Sequence, residues 1–165
     1  MSVTNKTIAE TLYGEGLIVH ILSPVKVVLD GAKQTESDDS EGCGVLIGSL
    51  DSDFSRIWIE ELTTCLPNDK CGRNFFHIQD SGHQKVVMQS HRRSKGQLRY
   101  LGTWHSHPEE HPTPSQQDKN GWGKVIKENP EFHRFIFIII GHKSLVAYVP
   151  IRKRYAPLKF QQLKQ

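Results

Sequence analysis

The chain has 165 residues, 36% of them hydrophobic and 24% charged, a length that fills one hydrophobic core and is short for two, so residues 1–165 are expected to form a single domain. Its longest apolar run, Phe135 to Ile140, is far below the roughly 20 residues of a membrane span. The N-terminus also lacks a basic-then-apolar signal pattern, so a cytoplasmic protein without a membrane partner is expected.

A net charge of +3 is too small to imply nucleic acid as a partner. The basic residues gather in His91 to Lys95 and in Arg152 to Arg154, and Asp38, Asp39 and Glu41 crowd one loop, clusters that solvated faces explain. Cys43, Cys65 and Cys71 are odd in number and have no short paired spacing, which argues against both a disulfide framework and a four-cysteine zinc knuckle. Buried or idle thiols are expected.

In chain order, Leu17 to Leu22 (LIVHIL) is an apolar run of strand length, and Ser23-Pro24 supplies an N-cap and a first-turn proline for a helix. Val25, Val28, Leu29 and Ala32 recur at the spacing of one buried helical face, and the polar stretch Gln34 to Ser40 ends it. Cys43 to Gly48 and Ile57 to Ile59 read as adjacent strands joined by the acidic turn Asp51-Ser52-Asp53. Cys65 to Gly72 is a loop by its Pro67, Asn68, Asp69 and Gly72. Ser81 to Ser94 reads as a surface helix, and Leu98 to Trp104 as a strand that runs directly into histidines. Pro108, Pro112 and Pro114 keep the next segment irregular until Ser115 caps a helix towards Asn129-Pro130. Phe135 to Ile140 and Leu145 to Val149 read as a hairpin around Gly141 to Ser144, and residues 152–165 read as a polar, basic tail. Interleaved strands and helices make this an α/β (α+β) chain, most simply a central mixed sheet flanked by helices, with its core between about residues 17 and 149.

The chemistry concentrates in GTWHSHPEEHPTPSQQD, residues 102–118. His105 and His107 are two apart at a strand end, so both imidazoles point to one side. Asp118, in the first turn of the following helix, can return a carboxylate to the same place. Three protein ligands with an open position describe a catalytic zinc site, whereas a structural site is closed by a fourth ligand, usually with cysteine. Ser115 and Asp118 also have the spacing of a capping box, which needs no metal and is compatible with one. His111 reads as a solvent-exposed loop histidine, the other histidines show no ligand spacing, and Trp104 and Trp122 read as packing residues.

The HSHP, Ser115 and Asp118 spacing resembles the JAMM motif of the JAB/MPN-plus zinc metalloproteases. Those proteins also place a glutamate ahead of a Gly-rich strand, and Glu41-Gly42-Cys43-Gly44-Val45-Leu46-Ile47-Gly48 is similar to that pattern. The resemblance covers Leu17 to Val149 and implies a cytidine-deaminase-like core, His105, His107 and Asp118 as zinc ligands, Glu41 as general base and Ser115 as the donor to the oxyanion. His83-Gln84, Leu98 to His107, Pro112 to Ser115 and Asp118 to Trp122 further resemble the deconjugase of type II CBASS antiphage systems. That branch implies an isopeptidase acting on a protein substrate: a cyclic-oligonucleotide synthase whose C-terminus an E1/E2-like enzyme has attached to a target.

Three other readings stand beside it. A processing protease for a ubiquitin-like or sulfur-carrier protein would use the same residues, and a catalytically silent MPN scaffold would keep the fold and lose ligands. A zinc nucleobase deaminase is disfavoured because His-x-Glu with Pro-Cys-x-x-Cys is absent. A monomer is expected.

Overall fold

A computed structural model describes residues 7–160. The strands are β1 (Ile8–Gly14), β2 (Leu17–Leu22), β3 (Cys43–Leu50), β4 (Arg56–Leu62), β5 (Lys70–Gly72), β6 (Phe75–His77), β7 (Arg99–Ser106), β8 (Ile136–Ile140), β9 (Leu145–Ile151), β10 (Arg154–Pro157) and β11 (Lys159–Phe160). The helices are α1 (Ser23–Gly31), α2 (Gly82–Arg93) and α3 (Gln116–Glu128). Nine strands form one sheet in the order β10-β9-β8-β7-β3-β4-β2-β1-β11, and β5 and β6 pair separately. The pairs β2/β4 and β7/β8 are parallel and the others antiparallel, so the sheet is mixed, as the sequence predicts.

The two ends of that order, β10 and β11, are separated along the chain by Leu158 alone, so the sheet curls until its edges approach. Its concave side encloses the main core, in which Leu12, Val19, Ile21, Leu46, Leu101, Trp104, Ile136 and Ile138 are buried together with Leu29 of α1. Each such aliphatic side chain contributes about 1.5–3 kcal/mol relative to exposure. Alternation along the strands sends the intervening residues to the other face. There Phe137 and Ile139 meet Trp122 of α3, while Val45 and Ile47 meet Val86 and Val87 of α2. The convex face between α2 and α3 is where β7 delivers its histidines.

Several expectations change in detail. Residues 154–160 are no loose tail: β10 pairs with β9, β11 pairs with β1, and Ala156 and Leu158 are buried in alternation with the exposed Pro157 and Lys159. Residues 161–165 lie outside the described residues. Ser23 is the first helical residue and not the cap, and Val28 is exposed while Val25 and Leu29 carry the buried face of α1. The loop from Cys65 to Gly72 ends in the short strand β5. Cys65 and Cys71 are joined by a disulfide and only Cys43 is a free, buried thiol, so the expectation of idle, unpaired cysteines fails for that pair.

Two glycines are fixed by close approach. A Cβ on Gly102, whose φ is +146°, would lie 2.0 Å from the Ile136 carbonyl oxygen. One on Gly44 would lie 1.8 Å from that of Thr63. The second approach lets the Trp104 indole donate to the Thr63 carbonyl at 2.8 Å, fixing the strand just before the histidines.

Candidate metal centre

His105 pairs across the sheet with Cys43 on one side and Ile139 on the other, and His107 continues the line by donating its amide to the Ile140 carbonyl at 3.0 Å. Period two then turns both imidazoles to the convex face and Ser106 to the opposite one. The proline-bearing loop after His107 is tied down by the amides of His142 and Lys143, which donate to the carbonyls of Glu109 and Glu110 at 2.8 and 2.9 Å. It returns the chain to Ser115, which caps α3. Ser115 Oγ accepts from the Asp118 amide at 3.0 Å, and Asp118 Oδ2 accepts from the Ser115 amide at 2.7 Å. The capping box is therefore real and orients the Asp118 carboxylate back at the histidines.

The three side chains converge. His105 Nε2 and His107 Nε2 are 3.0 Å apart, and each lies 3.2 Å from an oxygen of Asp118. Ligands held at 2.0–2.1 Å in a tetrahedron around zinc lie about 3.3 Å from each other, so the donor set has the size and composition that fits this ion. All three residues are buried. His105 Nδ1 has no hydrogen-bond partner among the described residues, and His107 Nδ1 lies 3.1 Å from Glu109 Oε1 without hydrogen-bond alignment. Phe76 stacks on the His105 ring with centroids 4.4 Å apart, closing that side against water.

Charge in the cluster is strongly coupled. Burial opposes ionisation of Asp118, yet the hydrogen bonds and charges of His105 and His107 outweigh it and hold the carboxyl well below its ordinary range. Burial lowers His105, whereas at His107 the burial penalty is exceeded by Asp118, Glu41 and Glu109 together and the imidazole is raised.

Glu41 stands beside this group, 5% exposed. Burial is the largest influence on its carboxyl, partly offset by His107 and reinforced by Asp118, and the group is raised from 4.5 to about 7. Its backbone is pinned from two directions. The Glu41 amide donates to the Gly72 carbonyl at 2.7 Å, and the next residue, Gly42, donates to Ser106 Oγ at 2.8 Å while accepting from the Ser106 amide at 3.0 Å. Ser106 in turn donates to Gln34 Oε1 at 3.0 Å, and Gln34 Nε2 holds the carbonyls of Asp39 and Arg73 at 2.9 and 3.1 Å. Sequence reasoning missed Gln34 and Ser106. Strand alternation marks Ser106 as facing away from the histidines, but no local signal marks Gln34.

Glu41, His107, Ser115 and Asp118 all line one cleft of about 1230 Å³, walled by Phe75 and Phe76 on one side and by α3 and Phe132 on the other. His105 lies beneath it, fully buried. His111 is outside, its Nδ1 3.0 Å from Ser144 Oγ in an exposed pair, as expected for a loop histidine. Trp122 stacks on Phe137 and plays a packing part, again as expected.

A curled mixed sheet whose strand histidines meet an aspartate at a helix N-terminus, beside a buried glutamate, defines an α/β domain of the JAB type with a donor group that could hold a metal ion. Residues 29–155 match the prokaryotic homologs of the JAB domain, and the chain belongs to that family. Two relatives at 30% identity are each named a CD-NTase/cGAS isopeptidase. One, from Pseudomonas aeruginosa, aligns over 112 residues, 68% of this chain and 70% of the relative. The other, from Escherichia coli, aligns over 128 residues, 77% of this chain and 78% of the relative. A protein of Desulfitobacterium hafniense whose structure was solved in solution shares the fold, with a TM-score of 0.53 at 22% identity over 80% of this chain and 83% of that one. No helix among the described residues is long and apolar enough to cross a membrane.

Proposed function

We propose that residues 1–165 act as one domain, a zinc-dependent isopeptidase that hydrolyses the amide joining a protein C-terminus to its target. The observation that carries this reading is the group of three buried donors 3.0–3.2 Å apart beside a carboxyl raised to about 7. Zinc held by His105, His107 and Asp118 would supply Lewis-acid polarisation of water and of the scissile carbonyl. Glu41 takes the proton of the attacking water and passes it to the leaving amine. Without metal this carboxyl sits near 7, and a cation beside it would favour the ionised form that accepts the proton. The Ser115 hydroxyl accepts from the Asp118 amide and keeps its own proton to donate to the carbonyl oxygen as charge develops there.

The substrate in this proposal is a cyclic-oligonucleotide synthase conjugated through its C-terminus by an E1/E2-like enzyme, and the setting is antiviral defence in the cytoplasm. The names of the two relatives support it. Both edges of β3 are paired, so an incoming tail does not add to the Glu41 strand and is placed in the cleft between Phe75 and α3. The test offers purified protein a fusion of the synthase C-terminus to a reporter and a ubiquitin-like fusion, with Glu41→Gln as the blank. Selective release from the first is expected. Cleavage of the ubiquitin-like fusion alone would move the assignment to a modifier-processing protease. With the Cys65–Cys71 bond intact, the protein should hold one zinc that Asp118→Ala releases, and zinc-free wild type after zinc loading would favour a silent scaffold.

A further inference from the structure

The three cysteines lie apart in sequence and meet in space. One sulfur from each of Cys43, Cys65 and Cys71 falls within 4.8 Å of the others, and Cys43 Sγ is 3.4 Å from Cys71 Sγ. Cys43 is buried on β3, Cys71 is half-buried on β5, and Cys65 is exposed at the start of the loop. The cluster therefore has a rigid floor and an open mouth.

The loop that carries Cys65 and Cys71 does not depend on their bond for its shape. Asp69 Oδ1 accepts from the amides of Gln79 and Asp80, each at 2.8 Å. Its Oδ2 accepts from the Leu66 amide at 2.8 Å and meets His83 Nε2 at 2.6 Å. His83 Nδ1 is held in turn by Thr63 Oγ1 at 2.6 Å, and Asp80 Oδ2 accepts from the Asn68 amide at 2.9 Å. This buried frame sets the Cα atoms of Cys65 and Cys71 7.3 Å apart, beyond the usual 4.4–6.8 Å between disulfide-linked residues. Such spacing suits sulfurs that sit farther apart than a covalent bond. Around zinc, with Zn–S near 2.3 Å, tetrahedral thiolates are separated by about 3.8 Å, a distance the Cys43–Cys71 pair already approaches. Burial first, and then Asp69 and Glu41, push the Cys43 thiol up to about 12, so its thiolate needs a cation bound beside it.

We propose that Cys43, Cys65 and Cys71, when reduced, form a second metal site that binds one zinc-class cation through three thiolates. The site is distinct from the histidine–aspartate centre and leaves its fourth position open to solvent at Cys65. Its ion clamps the loop to β3 within two residues of Glu41, whose amide already donates to the residue after Cys71. Opening the Cys65–Cys71 bond needs a reductant: a phosphine takes up the oxygen of water to become a phosphine oxide, and the two sulfurs receive two electrons and two protons. The cation then displaces protons from the three thiols.

Cobalt tests this independently of the proposed hydrolysis, because thiolate-to-cobalt charge transfer in the near ultraviolet arises only from sulfur ligation. Phosphine-reduced protein, with three free thiols confirmed by titration after denaturation, is titrated anaerobically with Co²⁺. The expected result is a charge-transfer band in the wild type that persists in Asp118→Ala, where the other centre is lost and the band saturates at one equivalent of Co²⁺ and is bleached by one equivalent of Zn²⁺. Cys65→Ser, at an exposed position that leaves the core untouched, should weaken cobalt binding at this site at least tenfold, and Cys71→Ser should do the same. Absence of the band in reduced wild type, or an undiminished band in Cys65→Ser, would overturn the proposal. Loss of isopeptidase turnover with the band intact would instead count against the hydrolytic reading alone.

Discussion

Replacing Glu41 by Gln in metal-free protein should stabilise it, and increasingly so as pH rises. The carboxyl titrates at 4.5 when exposed and at about 7 in the folded chain, with burial as the largest cause. A carboxyl raised on folding binds its proton more tightly in the native state. Its contribution is therefore fully present below 4.5 and is lost as pH climbs through about 7. The whole shift corresponds to about 3 kcal/mol, at roughly 1.4 kcal/mol for each unit. Between about pH 5.5 and pH 8 the wild type should lose roughly 2 kcal/mol relative to Glu41→Gln, a change that amide and carboxyl of equal size isolate from packing. Urea unfolding of both proteins at the two pH values measures it directly. Zinc at saturation should abolish the widening, because a cation beside Glu41 favours its ionised form. A gap that stays constant with pH in the metal-free proteins would refute the buried, proton-retaining Glu41 on which its role as a base rests.

Ser115→Ala should retain zinc, lose roughly a hundredfold in turnover through the missing donor, and lose about 1 kcal/mol of stability through the missing cap. Normal turnover at reduced stability would confine Ser115 to capping α3. Trp104→Phe should leave the Thr63 carbonyl without its buried donor and cost about 1–3 kcal/mol in urea unfolding. An unchanged midpoint would show that this hydrogen bond does not fix the strand ahead of the histidines.

The elements legible in the sequence are those whose pattern is local. LIVHIL, the Gly-rich β3 and the run from Phe135 to Ile140 are apolar stretches of strand length, and all are strands. Ser115, followed by Asp118, announced α3 and its cap correctly. The pieces that escaped are short or polar. β5 and β6 have three residues each, and β11 has two, too few for any periodicity to register. β10 and β11 follow the basic run Arg152 to Arg154 and look like a solvated tail until β9 and β1 offer them partners, which only the curling of the whole sheet supplies.

The same distinction divides the site. His105 and His107 are two residues apart on a strand and Asp118 is in the next helical turn, so their convergence could be reasoned from alternation and a cap. Glu41 is different: read alone it is one acid in an acidic loop, and its position beside the histidines depends on β3 pairing with β7, Cys43 opposite His105. The neighbouring cysteines depend on two registers at once. The first is that pairing, and the second is β5 against β6, which sets Cys71 opposite Phe76 while the Phe76 ring lies on His105. Residues brought together by two successive registers carry no spacing signal, because a change of one residue in either register would turn a side chain to the other face. What locks those registers is the Asp69–His83–Thr63 frame on one side and the Gln34–Ser106–Gly42 chain on the other. Polar groups buried for that purpose look, in the sequence, like ordinary loop residues. They are also where a disturbance would reach the site without touching any of its donors.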